Sequence, residues 1–216
     1  MKIADLRATP VNIPLRAPYR FAYGSIASLT KTVLEVVTDE GIVGLGEVAA
    51  GDCSAAALGF RDRLIGVDVL DLNAAEARCV PTARYSPWDD ALGHRRVFGG
   101  IRRAVEFARA CERFDVGFRF HSGETGIGSA AYLHLSAAIA SVREPSQTLF
   151  RWYADDVVAE GPFVPKGGLV EVPTGPGLGV TLDPVALARC HERYRTEGPF
   201  PGGPGKGGYG EAFSRR

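Results

Sequence analysis

A histidine opens a polar loop between an aromatic segment and a helix-forming segment, in the stretch FHSGETGIGSAAYLHL at 120–135. In folds with parallel strands the reactive side chains lie where strands lead into such loops, and His121 occupies this position. An imidazole there can act as general base or acid, because it exchanges protons near neutral pH. Its position alone is equally compatible with a loop cap. Ser122, Gly123 and Glu124 could bind an anionic ligand at the start of the helix.

Other acids and histidines have structural explanations. Adjacent acids point to different sides of an element, so Asp89–Asp90 and Asp155–Asp156 are expected to cap helices or lie in solvated loops rather than to bind a metal. The remaining histidines are expected in packed or surface positions. They are His94, His134 and His191.

Three aromatic residues, Phe150, Trp152 and Tyr153, stand close together in the sequence. Such a group could line a sugar site. Packing within the fold is the commoner role of such residues.

Two regions with different periodicities precede the histidine loop. Residues 2–49 alternate apolar and polar positions around the turn Asp39-Glu40-Gly41, which predicts an antiparallel hairpin in a small sheet. From Ser54 to about Arg113 the spacing becomes helical. Asp71 is a plausible N-cap for the segment LNAAEARCV.

The second half of the chain predicts further strands and helices around the loop. The apolar segments VGFRF at 116–120 and GLVEV at 168–172 predict strands. A small-residue helix follows the first, and a helix capped by Asp183 with proline at its first position follows the second. The Gly/Pro-rich segment 198–216 predicts a mobile tail.

Composition limits the classes of function. The chain has 216 residues, 45% of them hydrophobic, and a formal net charge of +0. This balance gives no electrostatic reason to expect nucleic acid or a membrane as the partner. Neither a secretory signal nor a membrane span is indicated, so we expect a cytoplasmic protein with a small-molecule ligand. Four scattered cysteines predict buried thiols rather than a disulfide framework or zinc site: Cys53, Cys79, Cys111 and Cys190.

Four segments together carry a family resemblance. They are TDEGIVGLGEVAAGD at 38–52, HSGETGIGSAAYLHLSAA at 121–138, KGGLVEVPTGPGLGVTLD at 166–183 and ERY at 192–194. They resemble the mandelate racemase and muconate lactonizing enzyme branch of the enolase superfamily, most closely the glucarate dehydratase-like acid-sugar dehydratases. The third segment is long and ordered, which makes the match specific.

The resemblance implies both a fold and a reaction. It implies an N-terminal α+β capping domain over 1–100, and over 101–197 the end of a TIM barrel plus a return segment to the cap. Gly44, Gly46 and Glu47 match the turn of the cap, and His121 matches the histidine of the seventh barrel strand. In this family Mg²⁺ assists removal of the proton α to a carboxylate, followed by β-elimination of water from a sugar acid.

The chain also departs from the family pattern. Only about 115 residues follow the cap, whereas a complete barrel needs about 250, so the resemblance implies an internally truncated, α/β type partial barrel. The family's Lys-x-Lys motif is absent, and three metal-binding carboxylates cannot be assigned. Ile26 and Leu149 stand where glucarate dehydratases would carry histidines.

Two functional hypotheses therefore remain open. The chain is either an acid-sugar dehydratase relative with impaired catalysis and His121 as its surviving acid/base residue, or a non-catalytic remnant. Such a remnant would bind a small acid weakly or pair with another chain. Losing the middle of a barrel exposes strand edges and apolar faces, which predicts a homo-oligomer.

Overall fold

An antiparallel sheet of three strands, in the order β1-β2-β3, forms the N-terminal part of the fold. This computed structural model describes residues 1–21, 24–48, 51–79, 100–121 and 123–200. Strand β1 spans Ile3–Phe21, β2 spans Gly24–Thr38 and β3 spans Val43–Val48. The predicted hairpin is confirmed. Its turn is closed by a hydrogen bond from the Thr38 amide to the Ile42 carbonyl at 2.9 Å.

Strand β1 lies at an edge of the sheet, and its sequence suits this place. It contains Pro10, Pro14 and Pro18, which have no amide hydrogen to donate to a second neighbour. The pairing between β1 and β2 shifts its register between Pro14 and Tyr19. The prolines are therefore compatible with one paired side, and the outer side of β1 is left for a helix.

Helices account for much of the rest of the described chain. Their bounds are α1 Ser54–Leu58, α2 Arg61–Leu64, α3 Leu72–Cys79, α4 Gly100–Arg113, α5 Gly126–Ala138 and α6 Pro184–Glu197. A short 3-10 helix spans Phe150–Trp152. The predicted caps are confirmed, since Asp71 accepts from the Ala74 amide and Asp183 accepts from the Val185 and Ala186 amides.

Two apolar clusters hold the sheet between helices. One joins β1 and β2 to α5, α6 and the segment 149–158, and includes Val11, Ile13, Val33, Ile127 and Tyr153. The other packs Ile3 and Leu6 of β1 against α2 and α3. Helix α6 lies along β1, where His191 hydrogen-bonds the Pro10 carbonyl. The half-buried position of His191 corrects the expectation of a plain surface residue, because this bond and the Tyr194 ring hold it against the strand.

Two predicted strands do not form. Residues 116–120 are assigned no strand, and one parallel bridge joins His121 to Gln147. Residues 168–172 have only a bridge between Lys166 and Leu169, and Leu169 is 78% exposed. The physical reason is pairing, since apolar alternation makes a strand only where a neighbouring strand supplies a ladder. The partial barrel therefore stays a prediction.

Several sequence predictions concern residues outside the described ranges. These are Asp89, Asp90, His94, Ser122 and the segment 201–216. Of the cysteines, Cys79 and Cys190 are buried and Cys53 and Cys111 half-buried, and all four are free thiols. Among the described residues, no helix has both the length and the apolar character needed to cross a bilayer.

Candidate functional site

His121 lies exposed at the end of the aromatic segment, directly before the loop that leads to α5. The preceding residue anchors it: the Phe120 carbonyl accepts from the Gln147 amide at 3.2 Å, and the Phe120 amide donates to Ser146 Oγ at 3.3 Å. The Phe120 ring is buried and lies 5.2 Å, centre to centre, from the Tyr132 ring. A fixed backbone therefore presents an accessible imidazole to solvent.

Glu124 lies only three residues further on but is buried, with 8% of its surface exposed. Its carboxylate accepts hydrogen bonds from the Gly123 amide and from the Tyr132 side chain. The three residues predicted to bind substrate thus have different surroundings. Gly123 and Glu124 bond to each other, and Ser122 lies outside the described residues. Their role in binding stays a prediction.

The first turn of α5 is capped from three directions. Thr125 is the N-cap, and its hydroxyl accepts from the Ile127 amide at 3.2 Å. Glu47, from the end of β3, accepts from the Thr125 amide and hydroxyl and from the Gly128 amide. Asp156 accepts from the Gly126 amide at 2.9 Å. The amides that a helix start usually offers to an anion are thus already bonded to side chains of the chain itself.

The carboxylates around this turn have shifted proton affinities. Burial raises the pKa of Glu47 to about 7, the nearby charge of Glu124 raises it further, and the charge of Lys31 opposes the rise. Burial also raises the pKa of Asp156, against the effect of its amide hydrogen bonds. The pKa values of the Tyr132 and Tyr153 hydroxyls are raised, first by burial and then by the Glu124 and Glu47 charges.

A cavity of about 250 Å³ lies between β3 and α5. Glu47, Glu124 and Tyr132 form its polar side. Its apolar lining consists of Leu45, Ile127, Ala131, Leu135 and Leu178. The buried acids therefore face a space large enough to admit water.

The adjacent acids Asp155 and Asp156 point to different sides, as expected from their positions. Asp156 caps α5, whereas Asp155 forms ion pairs with Arg189 at 2.7 Å and Arg193 at 2.6 Å on α6. Hydrogen bonding from Arg189 is the main cause that lowers the pKa of Asp155 to about 2. Both acids therefore join elements of the fold.

The remaining histidine and aromatic side chains of the described region mostly pack. His134 is half-buried, with Nε2 3.1 Å from the Leu178 carbonyl oxygen, which confirms the expected packed role. Phe150 and Tyr153 are buried in the core, whereas Trp152 is about half exposed. The sequence interpretation assigned Glu47 only to a turn of the cap. The signal that could have found its role is an acid at the end of an otherwise apolar alternating strand.

The magnesium site implied by the resemblance does not fit the residues present. Among the residues that the structure describes, no group of three or more histidine, cysteine, aspartate or glutamate side chains could hold a metal ion. The nearby carboxylates of Glu47 and Asp156 are held by backbone amides. We therefore derive no chemical step through Mg²⁺ in this chain.

Comparison with known proteins places the chain in a family. Residues 96–186 match the model of the enolase C-terminal domain-like family, and this stretch contains the His121 loop and α5. The chain is a member of the enolase superfamily. Among curated relatives of this superfamily member is the probable glucarate dehydratase of Streptomyces coelicolor, 35% identical over 104 residues. That match covers 48% of this chain and 24% of the relative, so the chain spans about a quarter of that protein's length.

Solved enolases share the fold at low sequence identity. An enolase from Streptomyces coelicolor, crystallised without magnesium, aligns with a TM-score of 0.79 and 17% identity, over 94% of this chain and 100% of that one. An enolase from Pseudomonas fluorescens with bound magnesium, potassium and tartrate aligns with a TM-score of 0.75 and 16% identity, over 91% and 93%. The likeness thus extends along nearly all of the superfamily member described here.

Proposed function

We propose that this enolase superfamily member belongs to the acid-sugar dehydratase group and binds a small hydroxy acid at the His121 loop. The group's reaction is metal-assisted removal of an α-proton and elimination of water, and we propose that this chain alone performs it poorly or not at all. The observation that carries the proposal is the exposed His121 imidazole, on a backbone anchored by Gln147 and Ser146 immediately before α5.

His121 supplies the acid/base chemistry in this proposal. An exposed imidazole can accept a proton from a bound acid or return one, because histidine changes charge near neutral pH. Glu124 is buried and bonded to Gly123 and Tyr132, so it supports the loop rather than taking the substrate proton. A histidine alone is a weak catalyst for this step, because the α-proton of a carboxylate is hard to remove without stabilisation of the developing charge.

The identity of the acid is narrowed by two apolar residues and by the relatives. Ile26 and Leu149, where glucarate dehydratases would carry histidines, are both buried here, and Leu149 belongs to the core. This argues against glucarate itself. The Pseudomonas fluorescens structure contains tartrate, a smaller dicarboxylic hydroxy acid, which makes tartrate a suitable probe.

Thermal unfolding with and without ligand tests this proposal. A ligand that binds only the folded state stabilises it by RT ln(1 + [L]/Kd), about 2.7 kcal/mol at a hundredfold excess over Kd. We expect tartrate to raise the Tm of the wild type and not that of His121→Ala. The exposed neighbour Arg119→Ala serves as the matched control and should keep most of the shift. No Tm shift with tartrate or glucarate, with and without Mg²⁺, would contradict the proposal.

A second candidate function is pairing with another chain. It is supported by large apolar side chains that remain exposed on α4 and after it: Phe107 at 67%, Phe114 at 75% and Val116 at 58%. Such surface is costly to leave in water. Sedimentation velocity tests this candidate: a concentration-dependent dimer that Phe107→Ser with Phe114→Ser abolishes would support it, and a monomer at high concentration would contradict it.

A further inference from the structure

We propose that Glu47 is a proton-controlled latch that fastens strand β3 to the first turn of α5, tight when Glu47 is protonated and weakened when Glu47 must be charged. This proposal concerns the fold of the chain and does not depend on which ligand His121 binds.

The latch rests first on the hydrogen bonds of one side chain. Glu47 Oε2 accepts from Thr125 Oγ1 at 2.6 Å, from the Thr125 amide at 3.1 Å and from the Gly128 amide at 3.0 Å. Glu47 and Thr125 are 78 positions apart in the chain, so these bonds join the sheet to α5. A change in the Glu47 carboxyl group therefore acts directly on the contact between the two elements.

A second carboxylate lies against the same turn. A Cβ atom built on Gly128 would lie 2.8 Å from Glu47 Oε2 and 2.7 Å from Glu124 Cβ, so both glutamates pass the Cα of one glycine. Glu124 is itself nearly fully buried. Two negative charges at this distance from water repel each other, and an arrangement with one of them protonated is favoured.

The charged and titratable groups around Glu47 come from each neighbouring element. Strand β2 contributes the buried Lys31, whose charge favours ionised Glu47. The segment 153–156 contributes Tyr153 and Asp156, and α5 contributes Tyr132. The tyrosine hydroxyls are neutral, so the local balance consists of one lysine against Glu47, Glu124 and Asp156. Acids outnumber the base in this environment.

The direction of the pH effect follows from the raised proton affinity. Burial raises the pKa of Glu47 from 4.5 to about 7. Below about pH 4.5 the closed and open forms both carry the proton, and the latch has its full strength. Between about pH 4.5 and 7 the open form loses the proton and the closed form keeps it, so closing becomes less favourable by up to tenfold per pH unit. Above about pH 7 both forms are charged, and the weakening levels off.

Amide hydrogen exchange measured by NMR tests the latch. The readouts are the protection factors of the Thr125 and Gly128 amides, corrected for the intrinsic pH dependence of exchange, between about pH 5 and 8. We expect wild-type protection to fall at least about tenfold between about pH 5 and 7 and then level off. The Ala75 amide, which bonds Asp71 in the other apolar cluster, is the internal control and should not follow this course.

Two variants complete the test. Glu47→Gln keeps an acceptor oxygen but cannot titrate, so the protection of both amides should become independent of pH. Glu124→Gln leaves Glu47 in place and removes the neighbouring charge, so the levelling-off should move to lower pH. Protection that is flat in the wild type, or that has the same pH course in wild type and Glu47→Gln, would overturn the proposal. If Glu47→Gln does not fold, an unchanged pH course in Glu124→Gln overturns it equally.

Discussion

The Thr125 hydroxyl donates a hydrogen bond to the Glu47 carboxylate at 2.6 Å, between residues 78 positions apart. The same hydroxyl accepts from the Ile127 amide and so caps α5. One side chain thus starts the helix and attaches it to the sheet. The loop that presents His121 ends at this point, so its position depends on a contact with the N-terminal sheet.

Replacing Thr125 should reveal both roles. We expect Thr125→Ala to lower the free energy of unfolding by about 1–2 kcal/mol, because a helix cap is lost and a buried carboxylate loses a donor. Thr125→Ser retains the hydroxyl and should lose much less. Urea denaturation of the three proteins makes the comparison, and equal stabilities of the alanine and serine variants would contradict the assigned contacts.

Gly128 should resist substitution although it lies inside a helix. Alanine in place of a helical glycine usually adds about 1 kcal/mol of stability. At Gly128 the new Cβ would lie within 3 Å of both Glu47 Oε2 and Glu124 Cβ, so we expect Gly128→Ala to destabilise the protein. Gly44→Ala is the matched control, since its Cβ would lie 3.9 Å from the nearest atom. A Gly128→Ala protein as stable as wild type in denaturant titrations would argue against this close approach.

The buried Tyr153 hydroxyl should contribute little to stability. It makes no hydrogen bond within the described part of the chain, although the residue is only 1% exposed. We expect Tyr153→Phe to be neutral or to stabilise by up to about 1 kcal/mol, because a desolvated group without a partner is removed. Tyr132→Phe removes a hydroxyl that bonds Glu124 and should destabilise by about 1 kcal/mol. The reverse order of stabilities in thermal or urea unfolding would refute the contacts given for both hydroxyls.

Asp155 should stabilise the fold in a pH-dependent manner. Arg189 and Arg193 hold its pKa near 2, whereas an unfolded aspartate has a pKa of about 3.8. The stabilisation is therefore complete above about pH 3.8 and is lost as the pH falls through about 2. We expect Asp155→Asn to cost about 1–2 kcal/mol at pH 6 and progressively less below pH 3.8.

The control for this ion pair is Glu192→Gln. Its bond to Arg195 joins two exposed side chains, and such pairs contribute about 0–1 kcal/mol. Urea unfolding at several pH values distinguishes the two variants. A cost of Asp155→Asn that does not change with pH would mean that the ion pairs do not carry the effect.

The elements that sequence predicted correctly are those specified by neighbouring residues. The hairpin follows from alternation and a turn containing Gly41, whose φ of 82° favours glycine. The helix start at Asp183 follows from a cap and a proline within two positions. In both cases the forces act over a few residues, and the local pattern determines the structure.

The incorrect and missed features depend on distant partners. The segments at 116–120 and 168–172 have strand-like alternation, yet a strand requires a ladder that the described residues supply only as single bridges. The role of Glu47 could not be derived from its own segment, because its partners Thr125 and Gly128 lie about 80 residues away. His121 could be proposed from sequence because its loop and helix adjoin it. Whether it binds an acid remains a question of measurement.

The most direct test of the proposed function is an NMR titration of the histidine ring signals with tartrate, repeated with glucarate and with Mg²⁺ present. The chain has four histidines, so the signals can be assigned by single substitutions. The proposal predicts a saturable shift of the His121 signal, while those of His134 and His191, which bond backbone carbonyls elsewhere, stay unchanged. A His121 signal that does not respond to any of these additions would contradict the assignment of an acid-binding site to this loop.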